Sequence, residues 1–296
     1  MREVKEDSMG IKLVGVSKGY KKNLVIKNIN LEIGEGIYGF LGANGVGKTT
    51  LFKIISGYFT KYKGKVIYPD LEGKEIPMIG YLPQEFKGYP QFSVYEFLKY
   101  IANIKGKKSD EELELEIENK LEIFNLKEIK NKKLKSLSGG QKRRVGLAQA
   151  FLLNPKIVLL DEPTTGLDPN ERIHFKNYIS NLKNKQIILI STHIVSDLEY
   201  IAKKIFILKD GTIVEEGAEE ELKNKALGYI WEVVPESIRD REKIITEHLV
   251  SKIYESNDSI RIRVISENRP NIKARKVEPT LEDIYLMHFQ REGKEL

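Results

Sequence analysis

The chain has no cysteine, which excludes a disulfide framework and thiolate chemistry. No apolar run approaches the ~18 residues of a membrane-spanning helix. Residues 1–7 are charged and lack an apolar stretch, so no secretory signal is expected there, and Met9 offers an alternative start. Internal repeats and low-complexity tracts are missing as well. Neither sign of charge dominates: 49 basic residues stand against 43 acidic ones, for a net charge of +6. Charge clusters are short, Lys142-Arg143-Arg144 being the clearest, so the basic surplus reads as a solvated lysine-rich surface and gives no ground for a nucleic-acid partner. What is left is an ordinary globular composition, 41% hydrophobic and 31% charged, over 296 residues. That length holds one large domain or two unequal ones, and the lack of cysteine fits a cytosolic protein.

Against this background one loop carries phosphate chemistry. Gly42-Ala43-Asn44-Gly45-Val46-Gly47-Lys48-Thr49 follows Ile37-Tyr38-Gly39-Phe40-Leu41, which reads as a short buried strand. It runs into residues 49–56, which read as a helix closed by Gly57. Strand, G-x-x-x-x-G-K-[ST] and helix together make a phosphate-binding loop. Its glycines let backbone N–H groups wrap the β- and γ-phosphates, Lys48 adds a point charge, and the Thr49 hydroxyl can bind Mg²⁺.

Further residues collect at predicted strand ends and one helix start. Asp161 and Glu162 end the apolar stretch Ile157-Val158-Leu159-Leu160. Walker-type NTPases place a Mg²⁺-binding Asp at such a point, and a second carboxylate beside it can orient or activate the attacking water. His193 follows the buried stretch Ile187-Ile188-Leu189-Ile190, and Gln84 follows another short strand; an α/β sheet keeps its site at such ends. His174, His248 and His288 have no comparable setting. Tyr20 is either a stacking platform for adenine or a plain surface tyrosine. Leu137-Ser138-Gly139-Gly140-Gln141 is of a different kind. Ser138 and Gln141 form an S-x-x-Q capping box, and the two glycines leave bare N–H donors at a helix N-terminus, which suits an anion.

The pattern around these motifs is α/β. Strands are expected near residues 11–16, 29–33, 66–67 and 78–81. Residues 93–135 carry apolar positions at helical spacing and read as a helical insert too short for a long coiled-coil arm. Asp168-Pro169-Asn170-Glu171 is a helix start, with Asp as cap and Pro at the first position. Ser196-Asp197-Leu198-Glu199 reads as a further capping box. Lys209-Asp210-Gly211 reads as a hairpin turn. Buried strands alternating with helices predict a largely parallel sheet covered on both faces. Residues 223–296 read as an appended α+β module, in which Ile260, Ile262 and Val264 alternate with Arg261 and Arg263, and residues 280–283 cap a last short helix.

Taken together, and in this order along residues 11–221, the motifs resemble the ATP-binding subunit of an ABC transporter. The resemblance implies a P-loop cassette with an antiparallel β subdomain, a RecA-like core and a helical insert at about 93–140. That gives an ATP-binding domain over residues 1–221 and an accessory module over residues 222–296. It implies ATP and Mg²⁺ as cofactors. Tyr20 would stack on adenine, and Gly42, Asn44, Gly45, Gly47, Lys48, Thr49 and Thr50 would form the phosphate loop. Thr49, Gln84 and Asp161 would serve the metal. Glu162 would be the general base, His193 would contact the γ-phosphate, and Ser138, Gly139, Gly140, Gln141 and Asp168 would reach the nucleotide held by a second copy. Every catalytic residue type is present, so an active ATPase is expected. Gly166-Leu167-Asp168 and the run Val277-Glu278-Pro279-Thr280-Leu281-Glu282-Asp283-Ile284-Tyr285 resemble the exporter branch, whose transmembrane permease is a separate chain. The protein would then be cytoplasmic, peripheral on the inner face of the membrane. The alternative is a soluble ATPase of the same superfamily working in translation or DNA repair. The first kind normally carries two cassettes in one chain, and the second splits its cassette with a long coiled coil.

Overall fold

The structure is a computed structural model and describes residues 10–21, 23–68, 77–106, 109–182, 186–256, 258–270 and 273–289. The expectations about residues 1–9 lie outside them. The chain forms two compact units, Met1–Val214 and Glu215–Leu296. Among the described residues no helix is long and apolar enough to cross a membrane.

The first unit runs β1 (Ile11–Tyr20), β2 (Asn23–Ile33), β3 (Gly36–Leu41), α1 (Lys48–Ile55), β4 (Lys63–Ile67), β5 (Ile79–Leu82), α2 (Val94–Lys105), α3 (Asp110–Ile123), α4 (Gly139–Ala150), β6 (Ile157–Asp161), α5 (Pro169–Ser180), β7 (Ile187–Thr192), β8 (Lys204–Lys209) and β9 (Thr212–Gly217). The boundary between the units falls inside β9. One sheet has the order β2-β1-β4 and is antiparallel. The other has the order β5-β6-β7-β3-β8-β9. In it β5, β6, β7, β3 and β8 are parallel neighbours, so their carboxyl ends share one edge. β3, β6 and β7 are buried at every position. This explains their unbroken apolar runs, because a strand covered on both faces has no polar side to alternate with. Phe40 of β3 meets Phe52 of α1 edge-on at 5.5 Å between ring centroids. The same core takes in Ile11 and Leu13 of β1, so the two sheets and α1 bury a shared apolar layer.

Local signals account for most element ends. Ser93 and Ser109 start α2 and α3 with capping boxes to Glu96 and Glu112. Asp168 caps α5 through Glu171, with Pro169 at the first position. Asp210 and Gly211 take φ of 50° and 79° in the turn between β8 and β9. One signal misleads. The expected capping box at Ser196 starts no α-helix; residues Val195–Asp197 form a single 3-10 turn. The reason is Asp197, which is buried at 3% exposure. Its carboxylate accepts from the hydroxyls of Thr164 at 2.5 Å and Thr192 at 3.0 Å. That long-range anchoring outweighs the local cap.

The second unit continues with α6 (Glu219–Lys225), β10 (Ile230–Val233), α7 (Ile238–Glu247), β11 (Leu249–Ser256), β12 (Ser259–Ile265), β13 (Ala274–Lys276) and α8 (Leu281–Phe289). Its sheet has the antiparallel order β11-β12-β10-β13, so β12 lies between β10 and β11 in a split β-α-β arrangement. Trp231, Val233, Ile262, Val264 and Ala274 pack with Ile244 of α7 on one face. The alternation along β12 thus separates an apolar face from Arg261 and Arg263. Thr280 and Asp283 cap α8 reciprocally.

Candidate active site

The phosphate loop leaves the carboxyl end of β3 and enters α1. Gly45 and Gly47 take φ of 86° and 111°, a region costly for other residues. A Cβ at Gly47 would meet Ile26 Cδ1 at 2.6 Å, whereas one at Gly45 would stand in open space. The loop therefore packs on β2 at one glycine and leaves a bare concave backbone at the other. Lys48 is 5% exposed. Its ammonium donates to the carbonyls of Gly42 at 2.6 Å and Ala43 at 3.1 Å and pairs with Glu162 at 3.4 Å. Burial presses its pKa below the usual lysine range, against the pull of Glu162 and Asp161.

The neighbouring strand ends deliver the carboxylates. Asp161, fully buried, ends β6, and one of its oxygens accepts from the Ser191 hydroxyl on β7. Its Oδ2 has no hydrogen-bond partner among the described residues. Burial pushes its carboxyl above the ordinary carboxylate range, against the Ser191 and Thr49 hydroxyls. Glu162 takes φ of 53°, a left-handed value that a glutamate adopts only when its surroundings impose it. Its carboxylate is 2.8 Å from His193 Nδ1, on the loop after β7. The Thr49 hydroxyl lies 3.4 Å from the Gln84 side-chain oxygen. Thr49, Gln84 and the free oxygen of Asp161 thus form an all-oxygen donor set, the kind a hard cation such as Mg²⁺ takes.

The remaining expected residues lie elsewhere. Ser138 and Gln141 close their capping box, with Gln141 N donating to Ser138 Oγ at 3.2 Å and Ser138 N to Gln141 Oε1 at 3.0 Å. A Cβ at Gly139 would meet nothing within 4 Å, and one at Gly140 would stand 2.9 Å from the Gly166 carbonyl. Arg144 pairs with Glu171 at 2.8 Å. The glycine-rich helix start and the segment around Asp168 are therefore side by side. Tyr20, at the end of β1, is 45% exposed and sits edge-on to Phe59, with Lys18 over its ring at 5.4 Å. Thr50 lies on α1.

Two residues of the site escape the sequence reading. Asp197 holds the turn after His193 through Thr192 and Thr164, and the misread cap concealed it. Arg143 belongs to the basic cluster expected to be solvated, yet it is 5% exposed. The solvated reading of that cluster is wrong at this position. Five main-chain carbonyls surround its guanidinium, and burial lowers its pKa to about 10. Which residue of a basic run lies over buried carbonyls is not visible in the run itself.

The fold and the site define a P-loop nucleotide hydrolase. The family model for ABC transporters matches residues 26–165. LptB, the ATP-binding protein of the lipopolysaccharide export system of Escherichia coli K12, is 33% identical over 216 residues, covering 70% of this chain and 90% of LptB. SrtF, the lantibiotic transport ATP-binding protein of Streptococcus pyogenes, is 33% identical over 210 residues with the same coverage. The solved dimeric structure of MJ0796, a bacterial ABC transporter cassette, is 29% identical with a TM-score of 0.62, covering 70% of this chain and 98% of that one. A post-hydrolysis state of MJ0796 bound to ADP and Pi is similar at 30% identity. The chain belongs to the ABC transporter family, as an ATP-binding subunit whose ATPase activity drives transport.

Proposed function

We propose that two copies of this chain close on two molecules of ATP with Mg²⁺ and thereby drive export through a separate transmembrane permease. The observation that carries the catalytic half is the meeting of Lys48 Nζ and His193 Nδ1 on the two sides of the Glu162 carboxylate, at 3.4 and 2.8 Å. Glu162 takes the proton of the attacking water, and Lys48 and His193 stabilise charge on the γ-phosphate. Tyr20 stacks on adenine. Gly42, Asn44, Gly45, Gly47, Thr49 and Thr50 cradle the phosphates. Thr49, Gln84 and Asp161 would hold Mg²⁺, which would neutralise charge on the phosphates.

The dimer half is supported by the packing of Gly140 on Gly166 and of Arg144 on Glu171. Ser138, Gly139, Gly140, Gln141 and Asp168 share one surface region and face the nucleotide of the other copy there. MJ0796 forms a dimer, which supports the same arrangement. Export is supported by the name of LptB and by the exporter-like run at residues 277–285, and transport by the name of SrtF. A permease partner puts the chain on the inner face of the membrane.

The test is Glu162→Gln, alone and with Ser138→Arg. Glu162→Gln keeps ATP binding, loses on the order of 10²–10⁴-fold in turnover, and elutes as a dimer with ATP in size-exclusion chromatography. Adding Ser138→Arg returns it to a monomer that still binds ATP. Normal turnover in Glu162→Gln removes the base assignment, and a monomer with ATP bound removes the sandwich.

A further inference from the structure

We infer that Arg143 is a positioning residue, one that ties the glycine-rich helix start of α4 to the catalytic Glu162 and to Gln84 of the same chain. Its Nε donates to the Pro163 carbonyl at 3.2 Å. Nη1 donates to the carbonyls of Pro83 at 2.8 Å and Gln84 at 2.9 Å. Nη2 donates to the carbonyls of Glu162 at 2.5 Å and of Asp161. A guanidinium has five N–H donors, and all five are used. Every acceptor is a main-chain oxygen, from two segments only, the end of β5 and the end of β6.

The choice of acceptors carries the argument. An arginine needed only to neutralise a buried acid would meet a carboxylate head-on. This one grips the peptide groups that set the direction of the Glu162 and Gln84 side chains. Glu162 is held at φ 53°, and the bonds to the Asp161, Glu162 and Pro163 carbonyls fix the backbone on both sides of that strained residue. Gln84 faces Thr49. Arg143 itself lies in the second turn of α4, whose first turn carries Ser138, Gly139, Gly140 and Gln141. A shift of α4 is therefore transmitted through one rigid, planar group to both Glu162 and Gln84 of the chain's own site. The coupling rests on the proposed sandwich, in which that helix start meets the other copy's nucleotide. Arg143's grip on Glu162 does not depend on it.

Lysine keeps the charge but offers three donors on a flexible stem and does not reproduce a planar fork. A misplacement of about 1 Å at a reacting group costs on the order of 10²-fold in rate. The test compares the full chain with Arg143→Lys and Arg143→Gln. Both variants are expected to fold cooperatively at a lowered melting temperature, because buried carbonyls lose their donor, and to keep the affinity for a fluorescent ATP analogue within about twofold at a temperature where each is folded. At saturating ATP, kcat falls by roughly 10²-fold in Arg143→Gln and less in Arg143→Lys. Unchanged kcat in both overturns the proposal. So does loss of affinity and folding in step with kcat, or failure of both variants to fold, since Arg143 is then a residue of stability only. Dimer formation is read separately in the Glu162→Gln background. If Glu162→Gln never dimerises, the sandwich fails while the kcat result still decides the role of Arg143. If Glu162→Gln dimerises and adding Arg143→Gln leaves its ATP-dependent dimer intact but slow kcat persists in the single variant, the positioning role stands without any effect on closure.

Discussion

At the scale of single residues, the site holds opposed demands in Asp161. Its carboxylate is fully buried with one oxygen unpartnered, which is unfavourable for an ion and useful for binding a cation. Burial raises its folded-state pKa above the ordinary carboxylate value. The stability contributed by this group is therefore present below the ordinary carboxylate range and lost as pH rises through the raised folded value. Burial thus makes the ionised form costly. Asp161→Asn, which still accepts from Ser191, is expected to raise the stability of the nucleotide-free chain by on the order of 1 kcal/mol and to lower Mg²⁺-dependent ATPase activity by at least about 10²-fold. Thermal melting without nucleotide and a phosphate-release assay check the two halves. A variant that melts lower than the parent contradicts the first, and one that hydrolyses normally contradicts the second. Glu162 shows the same tension in its backbone, where a left-handed φ is accepted so that a carboxylate can stand between Lys48 and His193.

At the scale of elements, α4 joins the two halves of the proposed mechanism, and its packing is tight enough to measure. It lies against β5 and β6, and the closest approach is at Gly80, where a Cβ would fall deep inside the carbonyl of Ala150 at the end of α4. The obstacle is backbone on both sides, so relief requires moving a strand or a helix. Gly80→Ala is expected to cost about 1–3 kcal/mol, read as a lowered denaturant midpoint. An unchanged midpoint shows that β5 and α4 slide apart freely. This element also shows what a sequence can and cannot disclose. The strand-loop-helix around Lys48, the caps at Ser138 and Asp168 and the buried runs of β3, β6 and β7 are local patterns, and the residues that make them touch within a few positions. Arg143 acts through partners 18 to 60 positions away, at Asp161 and Pro83 among others, and Asp197 through Thr164, 33 positions away, as well as the nearer Thr192. Nothing in Lys142-Arg143-Arg144 distinguishes the buried arginine from its half-buried neighbours, because burial is decided by which strand ends lie beneath the helix. For the same reason the Ser196 cap was outweighed: a local hydrogen bond competed with a buried carboxylate already claimed by two hydroxyls.

At the scale of the whole molecule, acid acts with opposite sign on Asp161 of the first unit and on Glu232 and Asp283 of the second, because these buried carboxylates are shifted in opposite directions. In the second unit Glu232 is 4% exposed on β10. Burial acts to raise its pKa, but the Tyr254 hydroxyl, Arg261 at 2.6 Å and Arg275 at 2.7 Å together hold it below the ordinary range. Asp283 is buried at the start of α8, and burial is likewise outweighed there, by Arg263 at 2.6 Å, Ser251 and the Thr280 backbone. With folded-state pKa values below the unfolded ones, both acids contribute stability that is present above the ordinary carboxylate range, about pH 4, and is lost as pH falls through the depressed folded values. Asp161 in the first unit has the reverse sign and gains on protonation. The second unit is therefore expected to open first on acidification. The chain carries its own probe, because its single tryptophan is Trp231 on β10. That side chain is 7% exposed, with its indole N–H donating to the Ser266 carbonyl at 3.0 Å. In an acid titration of the full chain, Trp231 emission should shift to the red at a higher pH than that at which far-ultraviolet circular dichroism loses the helical signal, which comes mostly from the first unit. Glu232→Gln combined with Asp283→Asn removes the titrating groups and should bring the two transitions together. Coincident transitions in the parent chain exclude these carboxylates as the source of acid sensitivity, because a unit held by Glu232 and Asp283 has to release Trp231 before the parallel sheet of the ATPase unit gives way.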